Sequence, residues 1–493
     1  MHKKVCKTAF LVFFVVSAML LCFVPTGVEY AFGDIEFASI MFHIFMPKRN
    51  MSYDWFYELV PFIVAAFVVA FLIVFCVFKQ PKLKKFFIGL VVCVFLFGLY
   101  NTNKHFLVWK YIIEQYTASD FIKNHYIDPQ KTHIIFPTEK QNLIFIQVES
   151  LEASVQDVAS GGLLDKNYIS ELTKLAQENI NFSPSRLVGG AIVLPETGWT
   201  MGALVAQTAG IPLKSYKTHK STDQIGNRYR EYKSFLSSVT SLGDILKQAG
   251  YENYFILGSF QSFGGQDIYL EEHGAYIIYD IQTIKEDLHV RKPDQNWWGV
   301  LDEDVYKFSK KKLTEVSKRD KPFSLIIQTI DSHRDGFLSP NCSAKYDKRI
   351  ENVYACVSAQ LNEFINWCMK QDFFKNTTIV VLGDHCNMSK SLFAENINKQ
   401  TGLYEGTQRT VYNVFINSRI WPYQEKNRLF STMDMFPTIL AAIGATIEGD
   451  RLGLGTNLFS SKKTLLEEYG YDYLYQEMRK KSNFYNSELL YPK

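Results

Sequence analysis

The sequence has almost no surplus of charge of either sign: 53 Lys and Arg stand against 50 Asp and Glu, a formal excess of +3 over 493 residues. No basic stripe interleaved with aromatics breaks that balance, so the electrostatic footprint of a nucleic-acid-binding protein is missing. Internal repeats and low-complexity tracts are absent as well. There are only eight cysteines, and their spacing is not that of a zinc site. Cys6, Cys22, Cys76 and Cys93 lie in or beside apolar segments, where a single thiol acts as a small apolar residue. Cys342, Cys356, Cys368 and Cys386 lie further on. Cys342 with Cys356 closes a short loop and is the expected bridge in an oxidising compartment, the alternative being four unpaired, mostly buried thiols. What the chain does have is aromatic bulk, 39 Phe and 28 Tyr. Its apolar residues crowd into the first hundred positions, and the remainder reads as an ordinary globular domain.

Three segments are apolar enough to cross a membrane: 8–24, 59–78 and 86–100. The second is an uncharged run of about 20 residues, enough for a hydrocarbon core of roughly 30 Å. The first has the basic start of a secretory signal in Lys3, Lys4 and Lys7, but no clean small-residue cleavage site precedes Gly27. It is therefore expected to stay as a span. The stretch Phe32–Met46 is too short to cross and is interrupted by Asp34 and Glu36, which suits an interfacial or re-entrant piece. Lys3, Lys4 and Lys7 before the first span, and Lys79, Lys82, Lys84 and Lys85 between the second and third, are predicted to be cytoplasmic. Everything after Asn101 then lies on the outer side of the membrane. The expected organisation is a transmembrane region over 1–101, a membrane-surface linker over 102–141 with an amphipathic helix near Phe106–Tyr116, and a catalytic domain over 142–493.

Beyond Asn142 short apolar runs alternate with amphipathic stretches, the pattern of an α/β domain. Strands are predicted at Leu143–Val148, Tyr254–Leu257, Phe323–Ile330 and Thr378–Leu382, each nearly continuous in apolar residues and so covered on both faces. Helices are expected at Tyr168–Glu178, Ser241–Ala249 and Tyr354–Met369. The fold class is α/β, a single α/β/α sandwich.

Polar residues follow these strands where open α/β sheets bind ligands. Glu149 and Ser150 follow the first; Asp331, Ser332 and His333 the third; Asp384 and His385 the fourth. Glu149, Asp384 and His385 together make a set of oxygen and nitrogen donors suited to a divalent metal. Any one acid taken alone is often only the N-cap of the next helix. A further helix is expected over about Gly198–Thr208, ended by Gly210 and Pro212. Thr197 would stand at its N-terminal end, where free N–H groups favour a phosphate. Lacking an adjacent base, its hydroxyl would need a metal to act as nucleophile; the other reading is a plain helix cap. His333 could protonate a leaving alcohol or hold a phosphate oxygen, or be an unremarkable loop histidine.

These residues carry a resemblance. Asn142-Leu-Ile-Phe-Ile-Gln-Val-Glu149-Ser, Glu196-Thr197-Gly-Trp-Thr, Leu382-Gly-Asp384-His385 and Met433-Asp-Met-Phe-Pro437-Thr-Ile-Leu resemble the alkaline phosphatase/sulfatase superfamily. Within it they are most similar to the membrane-anchored phosphoglycerol transferases and lipoteichoic acid synthases. The stretch Thr197–Pro212 is nearest to the phosphoglycerol transferases that decorate periplasmic glucans. The resemblance implies that Glu149, Thr197, Asp384 and His385 hold one Mn2+ or Mg2+, and that Thr197 carries the transferred group while His333 contacts it. It implies phosphatidylglycerol as lipid donor, a glycan or glycolipid as acceptor, and an inner-membrane, multi-pass enzyme with its catalytic domain in the periplasm. Gln266, in Phe263-Gly-Gly-Gln-Asp, falls where relatives place a basic residue near the phosphate, which puts that substrate contact in doubt. Trp298 could wall the pocket or belong to the core. The Cys/Ser-x-Pro-x-Arg motif of true sulfatases does not occur, which argues for transfer through threonine. The rival expectations are a phosphoethanolamine transferase acting on lipid A or another envelope glycolipid, a hydrolase, and a catalytically silent scaffold.

Overall fold

The computed structural model describes residues 2–32, 37–45, 54–214, 235–290, 299–334, 336–388 and 409–490. The chain divides into two compact units, one comprising Met1–Met41 with Met51–Tyr116 and the other Phe42–Asn50 with Thr117–Lys493.

The first unit is helical. Among the described residues three helices are long and apolar enough to cross a membrane, over Thr8–Tyr30, Phe56–Lys79 and Lys85–Phe106. They overlap the three runs expected from hydropathy and extend each. Ala18, Ala66 and Ala70 are buried between them, small side chains at close helix contacts. Many larger side chains, Phe71 and Leu96 among them, face outward. Leu107 adopts a left-handed conformation and ends the third helix. A short amphipathic helix, Val108–Tyr116, follows.

The second unit is built on a seven-stranded mixed sheet. In chain order its strands are β1 (Asn142–Val148), β2 (Gly190–Ile192), β3 (Glu252–Leu257), β4 (Ile277–Tyr279), β5 (Phe323–Gln328), β6 (Thr377–Gly383) and β7 (Thr410–Ile416). Their spatial order is β2-β7-β6-β1-β5-β3-β4. The five strands from β6 to β4 are parallel, while β7 and β2 each run antiparallel to their neighbour. The central strands are buried on both faces. Leu143 and Phe145 enter one apolar core, under the helices Thr200–Ala209, Leu242–Gln248 and Met435–Ala442. Ile144, Ile146 and Val148 enter the other, under Ser170–Glu178, Asp302–Val316 and Arg349–Met369. This is the expected α/β/α sandwich. Strand β7 was not anticipated, because Asn413 interrupts its apolar run. That side chain is buried, with Nδ2 donating to the Phe182 carbonyl and Oδ1 accepting from the Phe182 amide. Cys342 and Cys356 form the expected disulfide; among the described residues Cys368 and Cys386 are free.

Candidate metal centre

Parallel strands deliver their carboxyl ends to one edge, and β1 and β6 are neighbours there. Val148 pairs with Gly383 across the ladder, so Glu149 and Asp384, each one residue further, emerge side by side. Their ligand atoms and that of His385 lie within 4.8 Å of one another, all buried. His385 Nε2 stands 3.3 Å from Glu149 Oε1 and 3.4 Å from Asp384 Oδ2.

The turn after β1 is tightly held. Ser150 takes φ +50°, a left-handed conformation that costs a non-glycine residue energy and persists only where its surroundings enforce it. Its amide donates to Asp384 Oδ1 at 2.7 Å, its hydroxyl to Glu149 Oε1 at 2.8 Å, and its carbonyl accepts from the Tyr354 hydroxyl. On the far side, Asn387 donates through its amide to Glu152 Oε1 and through Nδ2 to the Ser332 carbonyl. Glu152 is in turn paired with Arg409.

The donor set fits a divalent cation. His385 Nδ1 lies 3.0 Å from the Cys386 carbonyl, which can only accept, so Nδ1 keeps its proton and Nε2 is the atom that would face a cation once its own proton is displaced. Asp384 Oδ2 and His385 Nε2 are buried and have no hydrogen-bond partner. Burial works against the charged form of Glu149, yet the imidazolium of His385 beside it, with His333 and the Ser150 hydroxyl, holds its carboxyl down at about 2. Burial and the Glu149 charge push Asp384 up to about 7. Burial would lower His385, but the two carboxylates raise it to about 10. Protons thus balance a charge that a cation would balance in their place.

Thr197 does not stand at the start of the following helix. Glu196 takes φ +64°, Trp199 is extended, and the helix begins at Thr200. The buried Thr197 hydroxyl donates to the Leu194 carbonyl at 2.8 Å and accepts from Thr432 at 3.3 Å. Of the threonines on this segment, the one whose hydroxyl reaches the cluster is Thr200, with Oγ1 3.4 Å from Glu149 Oε2. His333 is close enough for its charge to lower the Glu149 carboxyl. Gln266 is wholly buried, with Nε2 donating to Gln328 Oε1 at 3.1 Å. Trp298 lies outside the described residues.

The profile of the sulfatase family matches residues 141–445. A protein of Salmonella choleraesuis named phosphoglycerol transferase I is 32% identical over 348 residues, covering 69% of this chain and 41% of that protein. A protein of the same name from Escherichia coli is 32% identical over 350 residues, with the same coverage of each chain. The chain therefore spans less than half the length of these curated relatives. A crystal structure of a protein in the alkaline phosphatase superfamily from Vibrio parahaemolyticus superposes with a TM-score of 0.51 at 20% identity, over 70% of this chain and 78% of that one.

Proposed function

Because the chain belongs to the sulfatase family, we propose that it transfers a phosphoglycerol group from phosphatidylglycerol to a glycan or glycolipid acceptor outside the cytoplasm, through a covalent intermediate on Thr200. The observation that carries this reading is the 3.4 Å approach of Thr200 Oγ1 to Glu149 Oε2, at the N-terminus of a helix and beside Asp384 and His385. Thr197, the threonine favoured by sequence, spends its hydroxyl on the Leu194 carbonyl. The names of the relatives point to the head group. The lipid donor fits a chain with three helices able to enter a membrane, since confinement to one surface raises the donor's effective concentration.

Glu149, Asp384 and His385, with the Thr200 hydroxyl, would hold the Mn2+ or Mg2+, which when bound polarises the hydroxyl and a phosphate oxygen. Thr200 Oγ1 forms the bond to phosphorus and its proton passes to Glu149 Oε2. The bond from phosphorus to the diacylglycerol oxygen breaks, and that oxygen takes a proton from His333. The free amides of the first helical turn receive the phosphate oxygens. In the second step the acceptor hydroxyl displaces Thr200 Oγ1 from phosphorus. Its proton goes to His333, and Thr200 recovers its own from Glu149.

Thr200→Ala should abolish diacylglycerol release from phosphatidylglycerol, whereas Thr197→Ala should retain turnover with a stability loss of about 1 kcal/mol, as for one lost hydrogen bond. Fragment-ion mass spectrometry of the peptide carrying both threonines, after incubation with the lipid, should place the added phosphoglycerol on Thr200. Modification at Thr197 would reverse the assignment. A phosphoethanolamine mass, with phosphatidylethanolamine as the effective donor, would change the head group.

A further inference from the structure

Four buried glutamines form an unbroken chain of hydrogen bonds beneath the site. Gln266 Nε2 donates to Gln328 Oε1 at 3.1 Å, and Gln328 Nε2 donates to Gln147 Oε1 at 2.8 Å. Gln147 Nε2 donates to Gln207 Oε1 at 2.9 Å, and Gln207 Nε2 ends the chain on the Gly383 carbonyl at 2.8 Å. Every amide passes its N–H in the same direction. Gln147 and Gln328 sit opposite each other in the β1–β5 ladder, which explains how two polar residues are accommodated in strands that are otherwise apolar and wholly buried.

The far end of this chain touches the catalytic parts. Gln207 follows Thr200 by seven residues, two helical turns, so both project from nearly the same face of the helix, about 10.5 Å apart along its axis. Thr200 meets Glu149. Gln207 meets Gln147, two residues before Glu149, and the carbonyl of Gly383, the residue before Asp384. The helix is thereby joined at two levels to the strand that carries Glu149 and, at the lower level, also to the strand that carries Asp384. A slide or rotation of the helix that moved the Thr200 hydroxyl off the cluster would have to break both bonds of Gln207.

We propose that Gln207 is a positioning residue, which sets the register of the Thr200 helix against the two ligand-bearing strands, with Gln147, Gln328 and Gln266 orienting its amide. The proposal rests on the reading of Thr200 as nucleophile. Gln207→Met keeps the length and bulk of the side chain and removes both bonds. In the full chain in mixed micelles of phosphatidylglycerol with Mn2+, kcat for diacylglycerol release should fall about 10- to 100-fold, the scale of a small misplacement of a reacting group. KM for the lipid should stay within about twofold, because the binding surface is untouched. The Mn2+-induced rise in melting temperature should persist, since the ligands remain. Gln147→Met breaks the same bond from the strand side and should lower kcat likewise, and the double variant should be no worse than the more damaged single one. A purely structural role would lower the melting temperature and leave kcat of the folded enzyme unchanged; that result, or additive losses in the double variant, overturns the proposal. If Gln207→Met does not fold, Gln147→Met alone decides by the same split. Turnover by Thr200→Ala would instead bring down the underlying site reading, whatever Gln207 does.

Discussion

At Gly383 a single added methyl group would land 1.9 Å from the Leu151 carbonyl oxygen and 3.2 Å from Val411 Cβ. The first of these is backbone, so no rotamer change relieves it. Gly383→Ala should cost about 3 kcal/mol or more, the upper range of overpacking a core. It should also displace the adjacent Asp384, so a thermal melt should show both a lower midpoint and a weaker response to Mn2+. A melt like that of the unaltered chain would mean that the strand end yields more than the contact implies. Glycine here is what lets the chain pass under the turn at Ser150 and still deliver two candidate ligands, Asp384 and His385. That cluster was legible in sequence as a candidate, because Glu149 and the Asp384-His385 pair each follow an apolar run that reads as a central strand. Thr200 was not. Pro195, Glu196 and Gly198 make Thr197 look like a cap, and the left-handed turn at Glu196 that discounts it depends on partners far away in the chain: Leu213 donates its amide to the Glu196 carbonyl, and Lys214 pairs with the Glu196 carboxylate.

At the scale of elements, the two-residue difference between a helix expected from Gly198 and one that begins at Thr200 decides which hydroxyl enters the site. Local preference fixes helix boundaries poorly, whereas the apolar runs of β1, β3, β5 and β6 place those strands well. The glutamine chain was not legible: Gln147 and Gln328 each interrupt an otherwise apolar strand, and only the register that sets them opposite each other joins them. The neighbouring strand ends also set the metal response. A cation held by Glu149, just past β1, and by Asp384 and His385, just past β6, would tie two elements together and replace the protons that balance their charge. Saturation at about 100 times the dissociation constant should add about 2.7 kcal/mol to stability. Asp384→Asn keeps the Oδ1 that accepts from Ser150 and His385 and replaces Oδ2, the ligand atom. Its metal-free melting temperature should match or exceed that of the unaltered chain, while the shift with Mn2+ or Mg2+ should largely disappear. An undiminished shift would place the ion elsewhere.

For the whole molecule the question is which side of the membrane the catalytic unit occupies, and two independent features bear on it. Lys3, Lys4 and Lys7 precede the first candidate span, Lys82 and Lys84 lie between the second and the third, and Lys85 opens the third. Cations in short loops are retained in the cytoplasm, so three crossings would carry the remainder of the chain outward. The Cys342–Cys356 bridge closes a loop within the second unit, and such bridges persist in oxidising compartments and are rare in the cytosol. Charge pattern and covalent chemistry, which have no common physical cause, both fit the outer location that the proposed glycan or glycolipid acceptor requires. Fusions of a reporter that needs disulfides to mature, placed after Tyr116, should be active, and those placed after Gln80 inactive. Replacing Lys82, Lys84 and Lys85 together by Gln should weaken that difference, because it removes the charge that holds the loop inside. Activity after Gln80 in the unaltered chain would invert the topology and deprive the site of an oxidising compartment and of its proposed acceptor together.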